Sequence, residues 1–564
     1  MEPVPEALLQ SHTAGDPAQA PDRLSVPLFI APALVALTAA LWHGPSLIDD
    51  AYITFRYADN LAAGYGIVFN RGEAVLGTTT PLLTILLALF KLAGMSVPLA
   101  ARGLGIVSVM GVVMLIQALA LRPLGRWEAA ALALCVALHP DLAFVANSGM
   151  ETALSMAAVY GTMLLTLRGR YVSAGLVGGA AFLLRPDGAL VILLAAGAAL
   201  LHGSRRAWRP LLAAAVVTLP WLIYADLTYG GVVPHSVVAK QMVHADSPLH
   251  ILALNGYRLT FSAEMKVACG LAVVGLAVAL KRKSELLLVA LWIVLYLAGL
   301  SAARISLYFP WYLSPLFPGI LLLAAFGLDR IVKFATASAG PSSAARLAVA
   351  QGGAPVFLLA LGALGLCGAG TWNRTIYENL FGQRTRAYLE IADLLRPRCA
   401  PGDTFLVGEV GALAYALPKQ VILDSSGINS PAVLRARQAD LDRLRTTGKR
   451  YDIPGGSPAW VFDVIERFKP RFIVTFKIWM HIDTLMGDPR IMSAYQRLAI
   501  PGLDDYFVLE RRTAAGGEGG GPKQVVPAAA GYFEMARDCG WDVGAFSSSS
   551  ASTARWSERR TSST

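Results

Sequence analysis

The sequence predicts a polytopic α-helical membrane protein of about eleven spans, carrying a small C-terminal α/β domain. Three observations carry that prediction. Of 564 residues, 55% are hydrophobic and only 15% charged, against about 25% charged in an average soluble domain. Mean hydropathy is +0.52, and apolar runs of membrane length recur from about residue 25 to about residue 370. Lys and Arg gather in short loops between those runs: Arg122 and Arg126, Arg168 and Arg170, Arg205, Arg206 and Arg209, and Lys281, Arg282 and Lys283. Cytoplasmic loops retain cations in this way, so the net charge of +10 reports membrane topology and not a nucleic-acid partner. A soluble enzyme, a disordered chain and a secreted disulfide scaffold are excluded.

Residues 1–24 are polar and rich in Pro, Ala and Asp, and read as a cytoplasmic tail. LSVPLFIAPALVALTAALW follows without a small-residue cleavage site behind a charged region, so it is a retained first span and not a signal peptide. Spans are expected near 25–43, 98–121, 128–147, 150–167, 171–185 and 188–202, then near 211–225, 262–280, 285–302, 307–327 and 353–370. The whole of 25–371 forms one transmembrane domain, with a first outer loop at 44–97.

PLLTILLALFKLAG (81–94) is apolar but shorter than a span. If it crossed, nearly every cation cluster above would face outward; left uncrossed, the clusters fall inside and the chain beyond residue 370 falls outside. Lys91 and Arg102 are the exceptions to that pattern.

After Trp372 the pattern changes. TFLVGEVGALAYALPKQVILDSSG reads as strand, short helix, strand, while RFIVTFK and DYFVLERR read as further strands. PAVLRARQADLDRLR is an amphipathic helix. Residues 372–511 thus form an extracytoplasmic α/β domain, and 512–564, with GGEGGGPK and a Ser/Thr-rich end, reads as a low-complexity tail. The five cysteines show no metal-ligand spacing. Cys399 and Cys539 are available to pair outside the membrane, though nothing in the sequence demands it.

Polar side chains concentrate in the loops placed outside. The first span ends in IDDAYITFRYADN, with Asp49 and Asp50 followed by Tyr52, Arg56, Tyr57 and Asp59. The spacing allows one helical stripe through Thr54 and Tyr57, a helix lying in the interface. Asn70, Arg71 and Glu73 come next. NSGMET contributes Asn147 and Glu151, and RPDG contributes Arg185 and Asp187. YGGVVPHSVVAK contributes His235 and Lys240, and ARISLYFPWYLSP contributes Arg304, Tyr308 and Tyr312.

Each has a plainer account: Asp49 or Asp50 as a helix cap, RPDG as a turn, His235 as a structural cap. Ionisable groups at membrane depth are nevertheless costly without a partner or a function, and together they suggest one polar cavity. No phosphate loop, HExxH zinc site or GxSxG elbow is present. A carboxylate suits removal of a proton from an acceptor hydroxyl, and Arg or Lys suits a phosphate leaving group.

DDAYITFRYADNLAAGYGIVFNRGEAVLGTTTPL, followed in order by GMETAL, RPDGAL and YGGVVPHSVVAK, resembles the membrane-embedded GT-C glycosyltransferases. The likeness is nearest to the terminal β-(1→2)-arabinofuranosyltransferase group of mycobacterial and corynebacterial cell walls and its bacterial relatives. It covers about residues 40–330, and more loosely GEVGALAYALPKQVILDSSGI.

The resemblance implies a bacterial inner-membrane enzyme with an inverting reaction. It implies a polyprenyl-phosphate sugar donor, arabinofuranose being one candidate sugar, and an extracytoplasmic glycan, lipid or protein acceptor. It implies an aspartate base at the end of the first span, here Asp50 with Asp49 in support. Tyr52, Arg56 and Tyr57 would shape the donor site. Glu151 and Asp187 would bind hydroxyls, and Arg185, Lys240 and Arg304 are candidates for the donor phosphate. The sequence defines no cofactor. Some GT-C enzymes use a divalent cation, for which Asp50, Glu73 and Glu151 offer ligands. The outer domain is small, and the Gly/Ser-rich end is unlike a carbohydrate-binding module. A transporter or flippase of lipid-linked sugars is the alternative, but it predicts ionisable groups inside several spans and inverted repeats, which are not evident. A binding module anchored in the membrane leaves the first loop and RPDG unexplained.

Overall fold

The computed structural model describes residues 26–201, 206–243, 247–260, 262–305, 309–338, 353–363, 381–446 and 457–512. The tail at 1–24, residues 513–564 with Cys539, Tyr308, Arg205, the side chain of Lys240 and the second half of the 353–370 span lie outside the described residues.

The membrane portion begins with α1 (Val26–His43), followed by α2 (Asp49–Ala62) and the short apolar α3 (Pro81–Leu92). Next come α4 (Val97–Leu124), α5 (Arg126–Ala137), α6 (Pro140–Asn147), α7 (Thr152–Leu167), α8 (Tyr171–Leu184), α9 (Ala189–Leu201) and α10 (Arg209–Tyr229). After α11 (His235–Val243) and α12 (Pro248–Leu259), the helices α13 (Ala263–Arg282), α14 (Leu287–Ala302), the one-turn α15 (Pro310–Leu313) and α16 (Phe317–Ser338) follow. The last apolar helix is α17 (Gly353–Ala363).

Five of these stretches are long and apolar enough to cross a membrane, and a sixth if α5 and α6 count as one span. Six more apolar helices are shorter, between 10 and 17 residues. This is a multi-pass membrane protein. The run expected as one span at 128–147 is bent by 57°, because Pro140 has no N–H to continue the hydrogen-bond ladder. The 12 residues of α3 extend about 18 Å, well short of a hydrocarbon layer of about 30 Å. Lys91 on α3 pairs with Asp59 on α2 at 3.3 Å, and Arg102 donates to Asn147 at 2.7 Å, so both exceptional cations have local partners.

Helices approach closely where side chains are small. A Cβ at Gly275 of α13 would meet Leu323 O at 2.1 Å, and one at Gly327 of α16 would meet Leu271 O at 2.2 Å. Two glycines facing opposite backbones allow this contact, the usual device where lipid gives helices no hydrophobic reason to associate. The outer surfaces stay apolar, with Leu219, Leu227 and Val273 exposed.

The C-terminal portion holds a five-stranded sheet: β1 (Thr404–Val407), β2 (Val421–Asp424), β3 (Phe472–Phe476), β4 (Tyr495–Leu498) and β5 (Tyr506–Arg511). Their order is β2-β1-β3-β5-β4. β1 is parallel to β2 and β3, and β5 is antiparallel to β3 and β4. Alternate residues divide two cores. Phe405, Val407, Phe472 and Val474 face α18 (Gln383–Leu395) and α19 (Gly411–Ala416), in one continuous apolar cluster with the membrane helices. Leu406, Leu423, Ile473 and Leu509 face the other way, with α20 (Pro431–Thr446) and α21 (Ala459–Phe468). Two short helices, α22 (Ile482–Gly487) and α23 (Pro489–Ala494), lead into β4.

Candidate active site

The acidic pair does not cap its own helix. Ile48 is the N-cap of α2, and no side-chain cap bond is made there. The Asp49 carboxylate instead accepts from Gly411 N at 2.9 Å and Ala412 N at 2.8 Å, the opening turn of α19. Seven residues on, Arg56 donates from Nη1 to Ala414 O and Leu417 O at the closing turn of the same helix. An anion therefore meets the positive end of the α19 dipole and a cation its negative end. Tyr52 and Phe55 pack their rings edge-on to Tyr415 between these contacts. Gly411 is required, since a Cβ there would lie 1.8 Å from Asp49 O.

Further contacts seat the first loop on the sheet. Arg56 also donates to Phe69 O at 2.7 Å, Gln420 O at 2.8 Å and Asn70 Oδ1 at 3.3 Å. The Asn70 side chain accepts from Ile422 N and donates to Ile422 O, both at 3.0 Å, and so pairs with the free edge of β2 as a strand would. The Tyr57 hydroxyl accepts from Gly77 N at 3.0 Å and lies 2.9 Å from Val75 O and 3.1 Å from Asn429 Oδ1. The polar atoms of Arg56 and Tyr57 are thus committed to the protein itself.

Docking brings a third carboxylate, Glu409, beside Asp49 and Asp50. It follows β1 and is held by Arg384 of α18, with Nη1 2.6 Å from Oε1. Burial, then Glu409, push the Asp49 carboxyl up to about 7, against the pull of its two N–H donors and with a smaller push from Asp50. Glu409 is likewise raised, by burial and by Asp50, with Arg384 opposing. Asp50 itself is half-buried. A carboxyl poised near neutrality is what a general base or proton-sharing pair requires.

A second cluster gathers Glu151, Arg185, Asp187 and Tyr312. Arg185 is buried between Glu151 (3.2 Å) and Asp187 (2.7 Å), with its guanidinium carbon 5.1 Å from the Tyr312 ring centre. Tyr296 completes it, 3.4 Å from Arg185 and donating to Tyr312 O at 2.9 Å. Two carboxylates answer this one cation, so the group carries net negative charge. The loop containing Glu151 abuts α2: Ile48 N donates to Ser148 O at 3.2 Å, and a Cβ on Gly149 would press Phe55 and Leu47 at 2.8 Å.

Other expected site residues are not gathered here. Glu73 is exposed and accepts from Asn70 at 3.1 Å. Arg304 is exposed on a left-handed turn, φ 58°. His235 opens α11, its backbone N–H donating to Leu76 O at 2.8 Å. Lys240 lies on the same helix. Among the described residues no three His, Cys, Asp or Glu side chains meet as metal ligands, so Asp50, Glu73 and Glu151 are not brought together as a cation site. Glu409, Arg384 and Tyr296 escaped the sequence reading; GEVG directly after a predicted strand is the one signal that marked Glu409's position, at the strand end where α/β sheets carry their chemistry.

Comparison with known proteins bears on the fold. A family model described as "Domain of unknown function (DUF8728)" matches residues 374–517. No curated protein matches the chain. ArnT from Cupriavidus metallidurans bound to undecaprenyl phosphate is similar with a TM-score of 0.55 and 15% identity, over 88% of this chain and 99% of that one. The apo state of the same protein gives 0.54 and 15%, over 86% and 97%. The oligosaccharyltransferase AglB from Archaeoglobus fulgidus, in complex with an inhibitory peptide and a dolichol-phosphate, gives 0.47 and 12%, over 86% and 74%. The fold is similar to that of ArnT; the likeness does not single out the arabinofuranosyltransferase group.

Proposed function

We propose that the protein is an inverting GT-C glycosyltransferase that moves a sugar from a polyprenyl-phosphate donor to a hydroxyl of an extracytoplasmic acceptor. The observation that carries this reading is the docking of Asp49 on the amides of Gly411 and Ala412, which sets the acidic pair within reach of the charge of Glu409, together with the Glu151–Arg185–Asp187 cluster. The likeness in fold to a protein bound to undecaprenyl phosphate supports it. Eleven crossings, with 81–94 uncrossed, would put these carboxylates and residues 372–511 on the outer side of a bacterial inner membrane.

In this mechanism Asp50, whose neighbour Asp49 is taken up by the amides of α19, takes the proton from the acceptor hydroxyl. The hydroxyl oxygen bonds to the anomeric carbon as the bond from that carbon to the phosphate oxygen breaks, and polyprenyl phosphate leaves with the electron pair. Asp49, engaged by α19, holds the base in place. Arg185, already answered by two carboxylates, orients Glu151 and Asp187 toward sugar hydroxyls. The phosphate falls to Lys240 and Arg304. Arabinofuranose is one candidate sugar, resting on the likeness of DDAYITFRYADN alone.

The test is a panel of polyprenyl-phosphate sugars offered to purified protein in lipid, wild type beside Asp50→Asn. Transfer or slow donor hydrolysis should fall by about 10²- to 10⁴-fold in the variant, the usual worth of a general base, with donor affinity retained. Equal losses of turnover and donor binding would contradict the role given to Asp50. Failure of every donor to bind wild type would refute the function.

A further inference from the structure

We propose that the crevice at the carboxyl ends of β1 and β3 is an acceptor subsite, in which Glu409 and Trp479, steadied by Arg384, grip a hydroxyl of a carbohydrate. It deepens the glycosyltransferase reading and rests on it.

The topology places the crevice. From β1 the chain goes through α19 on one face to β2, then through α20 and α21 on the other face back past β1 to β3. Connections that leave in opposite directions open a gap between two parallel strands, and ligands of open α/β sheets bind there, outside the carboxyl ends. Glu409 lies two residues beyond β1 and Trp479 three beyond β3.

Two polar atoms in this gap lack a match. Glu409 Oε1 takes the bond from Arg384, while Glu409 Oε2 is closed to solvent with no hydrogen-bond partner. Trp479 Nε1 is in the same condition. The indole N–H is near enough to favour the ionised carboxyl, yet the two do not meet hydrogen-bond geometry. A buried acceptor and a buried donor left unmatched lose their hydration without replacing it. One hydroxyl satisfies both, accepting from the indole and donating to Oε2. A carboxylate, an arginine and an indole together suit a sugar, which offers hydroxyls at its edge and C–H groups to an aromatic face.

The segment after Trp479 is strained. Met480 and His481 are consecutive non-glycine residues in the left-handed region, φ 58° and 50°, a conformation that persists where surrounding structure enforces it and that clusters at ligand clamps. A turn of the Trp479 ring, with that pair as the hinge, admits the hydroxyl. The subsite adjoins the catalytic pair, since Asp50 and Glu409 sense each other's charge.

The full chain in lipid nanodiscs tests this by saturation-transfer NMR with methyl arabinofuranoside, methyl galactofuranoside and methyl mannopyranoside. Wild type should bind at least one glycoside. Glu409→Gln, which can still accept from Arg384, and Trp479→Phe, which keeps a ring without the N–H, should each weaken it at least tenfold. Binding of fluorescent decaprenyl phosphate should be unchanged in both. No glycoside bound by wild type, binding unaffected by both variants, or loss of lipid-phosphate binding in both would each overturn the subsite. Wild type that fails to bind decaprenyl phosphate would count instead against the glycosyltransferase reading.

Discussion

Arg56→Met isolates what the clasp around α19 contributes. Arg56 donates to the carbonyls of Phe69, Ala414, Leu417 and Gln420 and to the Asn70 side chain, all buried. Methionine fills much of the same space and supplies no donor. A buried carbonyl stripped of its donor costs about 1–3 kcal/mol. The four are not independent, and removing the buried charge returns part of the loss, so a net cost of about 3–5 kcal/mol is expected, as for other broken buried ionic contacts. Because one unfolding free energy is ill-defined for a chain of this kind, the local readout is amide hydrogen exchange. At about 1.4 kcal/mol per decade, the amides of α19 should exchange about 10²- to 4 × 10³-fold faster, while those in the middle of α4 stay at the wild-type rate. Arg56→Lys keeps the charge but has at most three donors, and should fall between. Wild-type protection of α19 in Arg56→Met would refute the clasp.

The Asp49 carboxyl, raised to about 7 from the usual 3.8 by burial and Glu409, binds protons more tightly folded than unfolded. Its contribution to docking is full below about pH 4 and is lost as pH rises through 7; after correction for intrinsic exchange, α19 protection should decline across that window, and Asp49→Asn should flatten the decline. Arg185→Met leaves the buried Glu151 and the half-buried Asp187 facing each other as like charges, so melting in nanodiscs should drop steeply, and adding Glu151→Gln should recover part of the loss; a larger additive fall would argue against that ion-pair network.

Hydropathy and positive-inside patterning made the helical portion legible, since a long apolar helix writes its length into contiguous residues. The helix at DDAYITFRYADN was equally readable, as were the strands TFLV, VILD, FIVTF and YFVLER with their apolar runs. β4 was not, because YQRL is an edge strand whose Gln496 and Arg497 are exposed. α11 and α12 were passed over as loop, since HSVVAKQMV and PLHILALNGYRL are short and mixed in polarity. The side chains gathered at the candidate site were legible by half. Asp49 and Asp50 announced themselves as charges at a span end, and GMET and RPDG gave Glu151 and Arg185. Whether Arg56 and Tyr57 face a substrate or the protein depends on carbonyls and an amide at residues 414–429, which no local pattern around residue 56 contains.

The clasp between α2 and α19 also sets an order of events during synthesis. Asp49 and its donors at Gly411 and Ala412 are 362 and 363 residues apart, so the acidic pair emerges and enters the interface long before anything exists to receive it. At roughly 5–20 residues per second of elongation, that wait is on the order of twenty seconds to a minute. Through it Asp49 lacks the burial and the neighbouring Glu409 that raise its carboxyl in the folded protein. On the proposed function, the membrane portion becomes competent only when the last quarter of the chain folds back onto its beginning. A chain truncated before β1 should insert its helices and remain inert, which ties activity to completed synthesis without any separate control.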